Sequence, residues 1–132
     1  MWDLEGFGFF AATLKTDGSF VGWLGLNRVL DDPDLGGSPE VGWFIDRRHW
    51  GQGLATEGAR VAVTYGFATL ELDRIIARYR TDNVASGRVM EKIGMRRWQV
   101  VADREIPNAT ITMYEINAKD WTGSERETAE QA

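Results

Sequence analysis

The chain has 132 residues, enough for one domain with its own core and too few for two ordinary ones. It contains no cysteine, which excludes disulfides and thiolate metal sites, and its net charge of −5 argues against a general affinity for nucleic acid. No apolar run approaches the ~20 residues of a membrane span. The opening MWDLEGFG lacks the basic and apolar regions of a signal peptide, so a cytoplasmic protein is expected.

In chain order, Phe7 to Leu14 and Phe20 to Asn27 are apolar, aromatic-rich runs on either side of KTDGS. Asp17-Gly18 makes this a hairpin signal, because the turn needs a positive φ that glycine supplies cheaply. Leu30 to Pro39, LDDPDLGGSP, is loop by composition. Glu40 to Asp46, EVGWFID, predicts a third strand, nearly continuous in apolar character and therefore expected to be covered on both faces. Leu54 to Leu70 predicts a helix with Ala55, Ala59, Ala62 and Val63 at helical spacing for close packing on a sheet. Arg74 to Arg80, RIIARYR, is a fourth strand, so the third and fourth should be parallel around a right-handed crossover. Asn83 to Ile93 predicts a second helix, capped by Asn83 or Asp82 and closed by Gly94. Arg97 to Ala102 and Thr110 to Ile116 form an antiparallel pair around Pro107-Asn108. The tail GSERETAEQA lacks apolar periodicity and is expected to be disordered. The fold class is thus α/β (α+β): a mixed, mostly antiparallel central sheet with a parallel βαβ unit at its centre.

Charge is unevenly spread. Arg47 to Arg97 holds 10 Lys or Arg against 5 Asp or Glu, a local +5, and the remainder 5 against 15, a local −10. A local anion site in an acidic protein fits this pattern, as does a chance cluster of solvated arginines.

The segment Arg47 to Gly58, RRHWGQGLATEG, places Gly-Gln-Gly between a strand and a helix start. Unpaired N–H groups and the partial positive charge at a helix N-terminus attract phosphate, and Gly51 and Gly53 allow close approach. A P-loop would need Gly-Lys-Ser/Thr, but Gly53 is followed by Leu54-Ala55. A dinucleotide fingerprint needs a third glycine where Thr56 stands.

Arg48, Gly51 and Gly53 match the Arg/Gln-x-x-Gly-x-Gly/Ala signature, and RHWGQGLA resembles the pyrophosphate loop of the GNAT acyl-CoA N-acetyltransferase superfamily. EVGWFID resembles that family's fourth strand, NVASGRVMEKIGM its Asn-x-x-Ser…Glu-Lys-x-Gly helix, and TMYEINAKDW its closing strand and short helix. The style is closest to the branch that acetylates ribosomal-protein N-termini. The resemblance spans Gly6 to Trp121 and implies an acetyltransferase domain over residues 1–121, followed by a tail over 122–132.

The resemblance implies acetyl-CoA as co-substrate and no metal. Trp43, Phe44 and Ile45 would offer backbone groups to the pantetheine amides, and Arg48, Gly51, Gln52, Gly53, Leu54 and Ala55 would cradle the pyrophosphate. Asn83 and Ser86 would meet the arm from the other side. Arg88 and Lys92, on one helix face, would meet the phosphorylated ribose or else form an ordinary solvated face. Direct transfer to an amine needs a base, an oxyanion donor and an acid. Glu40 is the candidate base, or an edge carboxylate that merely attracts the amine. A backbone N–H near Phe44 or Ile45 is the candidate oxyanion donor. Where relatives often carry an acidic tyrosine this chain has Met90, so Ser86 is the nearest substitute by spacing and Tyr79 the second candidate. His49 is expected to face away from the acetyl group. Trp50 is expected to buttress the loop, and Trp2, Trp23, Trp98 and Trp121 to pack in the core or at edges.

Two departures stand out. Glu71 occupies a turn where relatives often have glycine, so a differently built turn is expected there. Relatives also carry a strand and one or two helices ahead of the segment that begins here. The domain is therefore expected to lack them, with an exposed sheet edge and apolar patch that invite a partner chain, a second copy included. The expected activity is acetyl transfer to a primary amine, whether a protein N-terminus, a polyamine or a small amine. The alternatives are a CoA-binding module without catalysis and a nucleotide-binding domain unrelated to CoA.

Overall fold

The computed structural model describes residues 8–121. The expectations for Trp2, for the start of the first strand and for the 122–132 tail lie outside the described residues. Six strands form one sheet: β1 (Gly8–Thr13), β2 (Phe20–Arg28), β3 (Pro39–Ile45), β4 (Arg74–Arg80), β5 (Arg96–Ala102) and β6 (Thr110–Asn117). Two helices, α1 (Leu54–Ala68) and α2 (Val84–Lys92), complete the fold, with 3-10 turns at Arg47–His49 and Ala118–Asp120. The strand order is β1-β2-β3-β4-β6-β5, and every neighbouring pair is antiparallel except β3 and β4.

Local chemistry accounts for the joints. Gly18 takes φ +74° in the first hairpin, where the Asp17 carboxylate accepts from the Ser19 N–H. Asn83, not Asp82, caps α2, its side-chain oxygen accepting from the Ser86 N–H. Gly94 at φ +92° ends that helix, with the Met95 N–H bonded back to the Met90 carbonyl.

The helical face of the sheet holds the main core. Ala59, Ala62, Val63 and Phe67 of α1 pack with Leu26, Val41, Ile75, Ala77, Tyr114 and Ile116, and burying a Val or Phe side chain contributes roughly 1.5–3 kcal/mol. Trp121 closes one end against Phe67, ring centroids 5.5 Å apart. On the opposite face the loop between β2 and β3 folds back, so that Val29 and Leu35 cover Ile76 and Met113. That cover stops short of β1–β3. Phe44 is 59% exposed, and Phe9 and Trp23 are exposed as well, so β3 is covered on one face rather than both. Nor does Trp23 pack in a core: it makes an edge contact with Phe20 at 5.5 Å.

Glu71 adopts φ +56°. The turn after α1 thus keeps the left-handed backbone and carries the strain, about 1–2 kcal/mol for a residue with a Cβ, instead of being rebuilt. Glu71→Gly is expected to raise stability by about 0.5–1 kcal/mol, part of the relief being offset by the freer unfolded chain. Urea denaturation reads this, and an unchanged midpoint would show that the turn absorbs the strain.

A buried phenol makes stability sensitive to alkali. Burial, helped by the hydrogen bond to Glu91, pushes the Tyr114 hydroxyl up to about 12; it donates to the Glu91 carboxylate at 2.8 Å. The folded value lies above the unfolded one, about 10. Stability is therefore fully present below pH 10 and falls as the unfolded phenol ionises first between pH 10 and 12. Tyr114→Phe should flatten the melting temperature across that window.

Candidate active site

The parallel pair at the centre of the sheet is joined at a single position, Glu40 opposite Ile76. The β2–β3 and β4–β6 ladders on either side each run through seven residue pairs. Beyond Glu40 and Ile76, β3 and β4 therefore part. The Asp46 N–H bonds the Val21 carbonyl, and alternation along an antiparallel strand then turns the backbone groups of Glu40, Gly42 and Phe44 toward β2. Those of Val41, Trp43 and Ile45 turn toward the parting. Phe44 thus contributes to the cleft wall while its backbone N–H and C=O belong to the ladder. The expected backbone contacts narrow to Trp43 and the Ile45 N–H, the Ile45 carbonyl accepting from the Trp50 indole N–H. Of the two expected oxyanion positions only Ile45 keeps its N–H toward the parting, and it lines the large cleft and not the small cavity.

Two cavities open along the parting. The larger, about 550 Å³, is walled by Trp43, Phe44 and Ile45 of β3, by the loop through Gly51, Gly53, Leu54 and Ala55, and by Asn83, Ser86, Arg88 and Lys92 of the second helix and its cap. Among the described residues three basic side chains line it, His49, Arg88 and Lys92, and no carboxylate does. The smaller, about 250 Å³, is lined by Glu40, Trp43, Arg78, Ser86 and Met90 among others. Trp43 and Ser86 belong to both, so the cavities meet there. A third, about 590 Å³, shares Glu40 and Arg78 with the small one and is ringed by Asp31, Asp32, Asp34, Asp103 and Glu105.

The start of α1 is built to leave its N–H groups open. Its N-cap is Gly53 at φ +73°, with no side-chain cap hydrogen bond, whereas α2 and the Arg47–His49 turn are capped by Asn83 and Asp46. A Cβ on Gly51 or Gly53 would meet no atom within 4 Å. The glycines therefore serve the positive φ and open access to the cleft, not close packing.

Two expected cofactor residues are not brought into the cleft. The Arg48 guanidinium is bound to Asp46, Nε to Oδ1 at 3.1 Å and an outer nitrogen to Oδ2 at 3.3 Å, with the side chain 77% exposed. It braces the turn before the loop and stays outside the cleft wall. This pair holds the Asp46 carboxyl below its ordinary value. Gln52 is exposed and likewise absent from the wall. His49 lines the loop end of the large cleft and not the cavity around Glu40.

Glu40 arrives already paired. The Arg78 Nε donates to its Oε2 at 2.6 Å and the outer nitrogen to Oε1 at 3.1 Å. A further bond runs from Arg78 to Asp31 at 3.3 Å. Glu40 is 12% and Arg78 23% exposed at the side chain, and the Glu40 hydrogen bond raises the guanidinium's affinity for its proton. Sequence reasoning missed Arg78. The alternation of RIIARYR placed it on the face of Ile76, but nothing local names its partner 38 residues away. Met90 is buried in the core and borders the small cavity with its thioether chain. The Tyr79 hydroxyl lies against Gly87, where a Cβ would come within 2.6 Å of it, and Tyr79 lines neither cavity that holds Ser86.

A family model described as the acetyltransferase (GNAT) domain matches residues 1–96. The chain belongs to the GNAT acetyltransferase family. This GNAT chain is 28% identical to the uncharacterised N-acetyltransferase p20 of Bacillus licheniformis over 117 residues, covering 86% of the chain and 64% of that protein. It is 32% identical to the FsC-acetyl coenzyme A-N(2)-transacetylase of Aspergillus fumigatus over 114 residues, or 80% and 48% of the two chains. A GnaT-family acetyltransferase of Bordetella pertussis superposes with a TM-score of 0.76 at 26% identity, covering 87% of this chain and 68% of that one. The GNAT chain spans less than two thirds of the length of curated relatives such as these. Among the described residues no helix is long and apolar enough to cross a membrane.

Proposed function

We propose that this chain binds acetyl-CoA in the 550 Å³ cleft and transfers the acetyl group to a primary amine at the junction of the two smaller cavities. The observation that carries this is the single β3–β4 bridge, which leaves the backbone groups of Trp43 and the Ile45 N–H facing a cleft whose described lining includes bases and no carboxylate. When bound, acetyl-CoA supplies an acetyl group activated as a thioester.

The chain's own groups divide the remaining work. The open N–H groups at Gly51 to Ala55 hold phosphate, with Arg88 and Lys92 as cations across the cleft. The Ile45 N–H offers an amide contact along the arm, and the Trp43 backbone N–H, where the two cavities meet, faces a developing oxyanion. Ser86, at the meeting of the two cavities, holds a hydroxyl where a leaving sulfur needs a proton donor. Glu40 meets the acceptor as half of an ion pair. Its task is to hold the ammonium and to take its proton, directly or through water, before the amine attacks. The third cavity is lined by more carboxylates than arginines, although Arg78 and Arg104 pair with Asp31, Asp32 and Asp34, and that excess favours a cationic acceptor. Protein N-termini, polyamines and small amines all satisfy that requirement.

Calorimetric titration with acetyl-CoA, followed by turnover on a panel of amines, tests this. Saturable binding with turnover of a cationic amine is expected. Binding without turnover on any amine would replace the enzyme with a CoA-binding module, the reading that Met90 in place of an acidic side chain favours. Displacement of acetyl-CoA by ATP or NAD would overturn CoA as the ligand.

A further inference from the structure

Trp50 is held by its polar edge rather than by burial. Its indole N–H donates to the Ile45 carbonyl at 2.8 Å. The Arg47 guanidinium lies over the ring, 5.4 Å from the centroid. Even so the residue is 62% exposed, and it forms part of the wall of the 550 Å³ cleft. A tryptophan whose only work was to brace the loop would do so by burying its rings. Here the N–H is satisfied, the Arg47 guanidinium lies over the ring, and the residue stays largely exposed at the cleft wall.

Its position gives that surface a use. Trp50 directly precedes Gly51, the first residue of the open phosphate cradle, and Arg88 and Lys92 line the same cleft from the second helix. A ligand with phosphates on the cradle and a flat π-system attached to them places that system within reach of the ring. We infer that Trp50 is the stacking platform for the adenine of coenzyme A. It is then the residue by which the site tells the complete nucleotide from its phosphopantetheine half. This rests on the coenzyme reading above. Stacking on a pre-positioned aromatic face is sequence-blind and strong, and the ring's orientation costs nothing further on binding because the hydrogen bond to Ile45 already fixes it.

Two ligands separate the roles: acetyl-CoA and acetyl-4′-phosphopantetheine, which keeps the arm, the thioester and one phosphate and lacks the 3′-phosphoadenylate. Calorimetry or competition on the parent, Trp50→Ala and Trp50→Phe reads the result. Trp50→Ala should weaken acetyl-CoA by roughly 5- to 150-fold and leave acetyl-4′-phosphopantetheine within about twofold. Trp50→Phe, which keeps a π face and loses the N–H, should recover most of the acetyl-CoA affinity. Equal losses for both ligands would make Trp50 a loop brace and overturn the stacking role. Unchanged acetyl-CoA affinity in Trp50→Ala would overturn it too. A parent that binds neither ligand would overturn the coenzyme reading, and the stacking role with it.

Discussion

Gly53→Trp is expected to abolish saturable acetyl-CoA binding, a loss of at least about 100-fold, in a protein that still folds. Two separate effects of the side chain make this a clean test. At φ +73° any Cβ costs about 1–2 kcal/mol, so the melting temperature should fall by only a few degrees. A Cβ there meets no protein atom within 4 Å, so the indole has no core to disrupt and extends into open space beside the cleft wall that Gly53 lines. It then stands in front of the uncapped N–H groups at the start of α1. Loss of binding with a cooperative melt would assign the cradle to the coenzyme. Binding as tight as the parent's would place the phosphates elsewhere.

The second large effect is expected at Arg78. Arg78→Ala leaves the Glu40 carboxylate, 12% exposed, without the guanidinium that occupies both its oxygens. Breaking a buried pair from one side costs 3–5 kcal/mol. With Arg78 about a quarter exposed, about 2–3 kcal/mol is expected. The contact to Asp31, itself 75% exposed, adds little. Combining Arg78→Ala with Glu40→Gln should cost less than the sum of the single changes, because the double variant leaves no charge stranded. Urea denaturation of the four proteins measures the coupling, and strict additivity would mean that the pair is not a unit. In turnover, Arg78→Ala should raise KM for the amine more than it lowers kcat, since Glu40 then loses the geometry that holds the ammonium.

These two sites differ in how far the sequence reveals them. The glycine loop is legible because its chemistry is local: strand, turn and helix start lie within a dozen residues, and the glycines say that backbone, not side chain, meets the ligand. The hairpin at Asp17-Gly18, the Asn83 cap and the Gly94 stop are legible for the same reason. The Glu40–Arg78 pair is not, since it depends on where a parallel strand comes to rest against its neighbour. EVGWFID misleads in another way. Its apolar run reads as a doubly covered strand, but the glycine and the alternation leave Phe44 on a bare face. Arg48 carries the right residue type at the right spacing, yet Asp46, two positions earlier, claims its guanidinium. Glu71 shows the converse: the family resemblance marks the position and suggests a rebuilt turn, yet the fold keeps the left-handed backbone and its strain.

A sheet ordinarily has two borders, and the borders are where unrelated chains add on. The single bridge between β3 and β4 gives this one two more, turned toward each other inside the molecule. Among the described residues β1 and β5 stand at the outer borders. The inner borders face the 550 Å³ cleft. The hydrogen-bonding capacity that makes exposed β-structure sticky is thus carried inside the molecule, where a slender chain of amides would meet it more readily than a full strand with side chains on both faces.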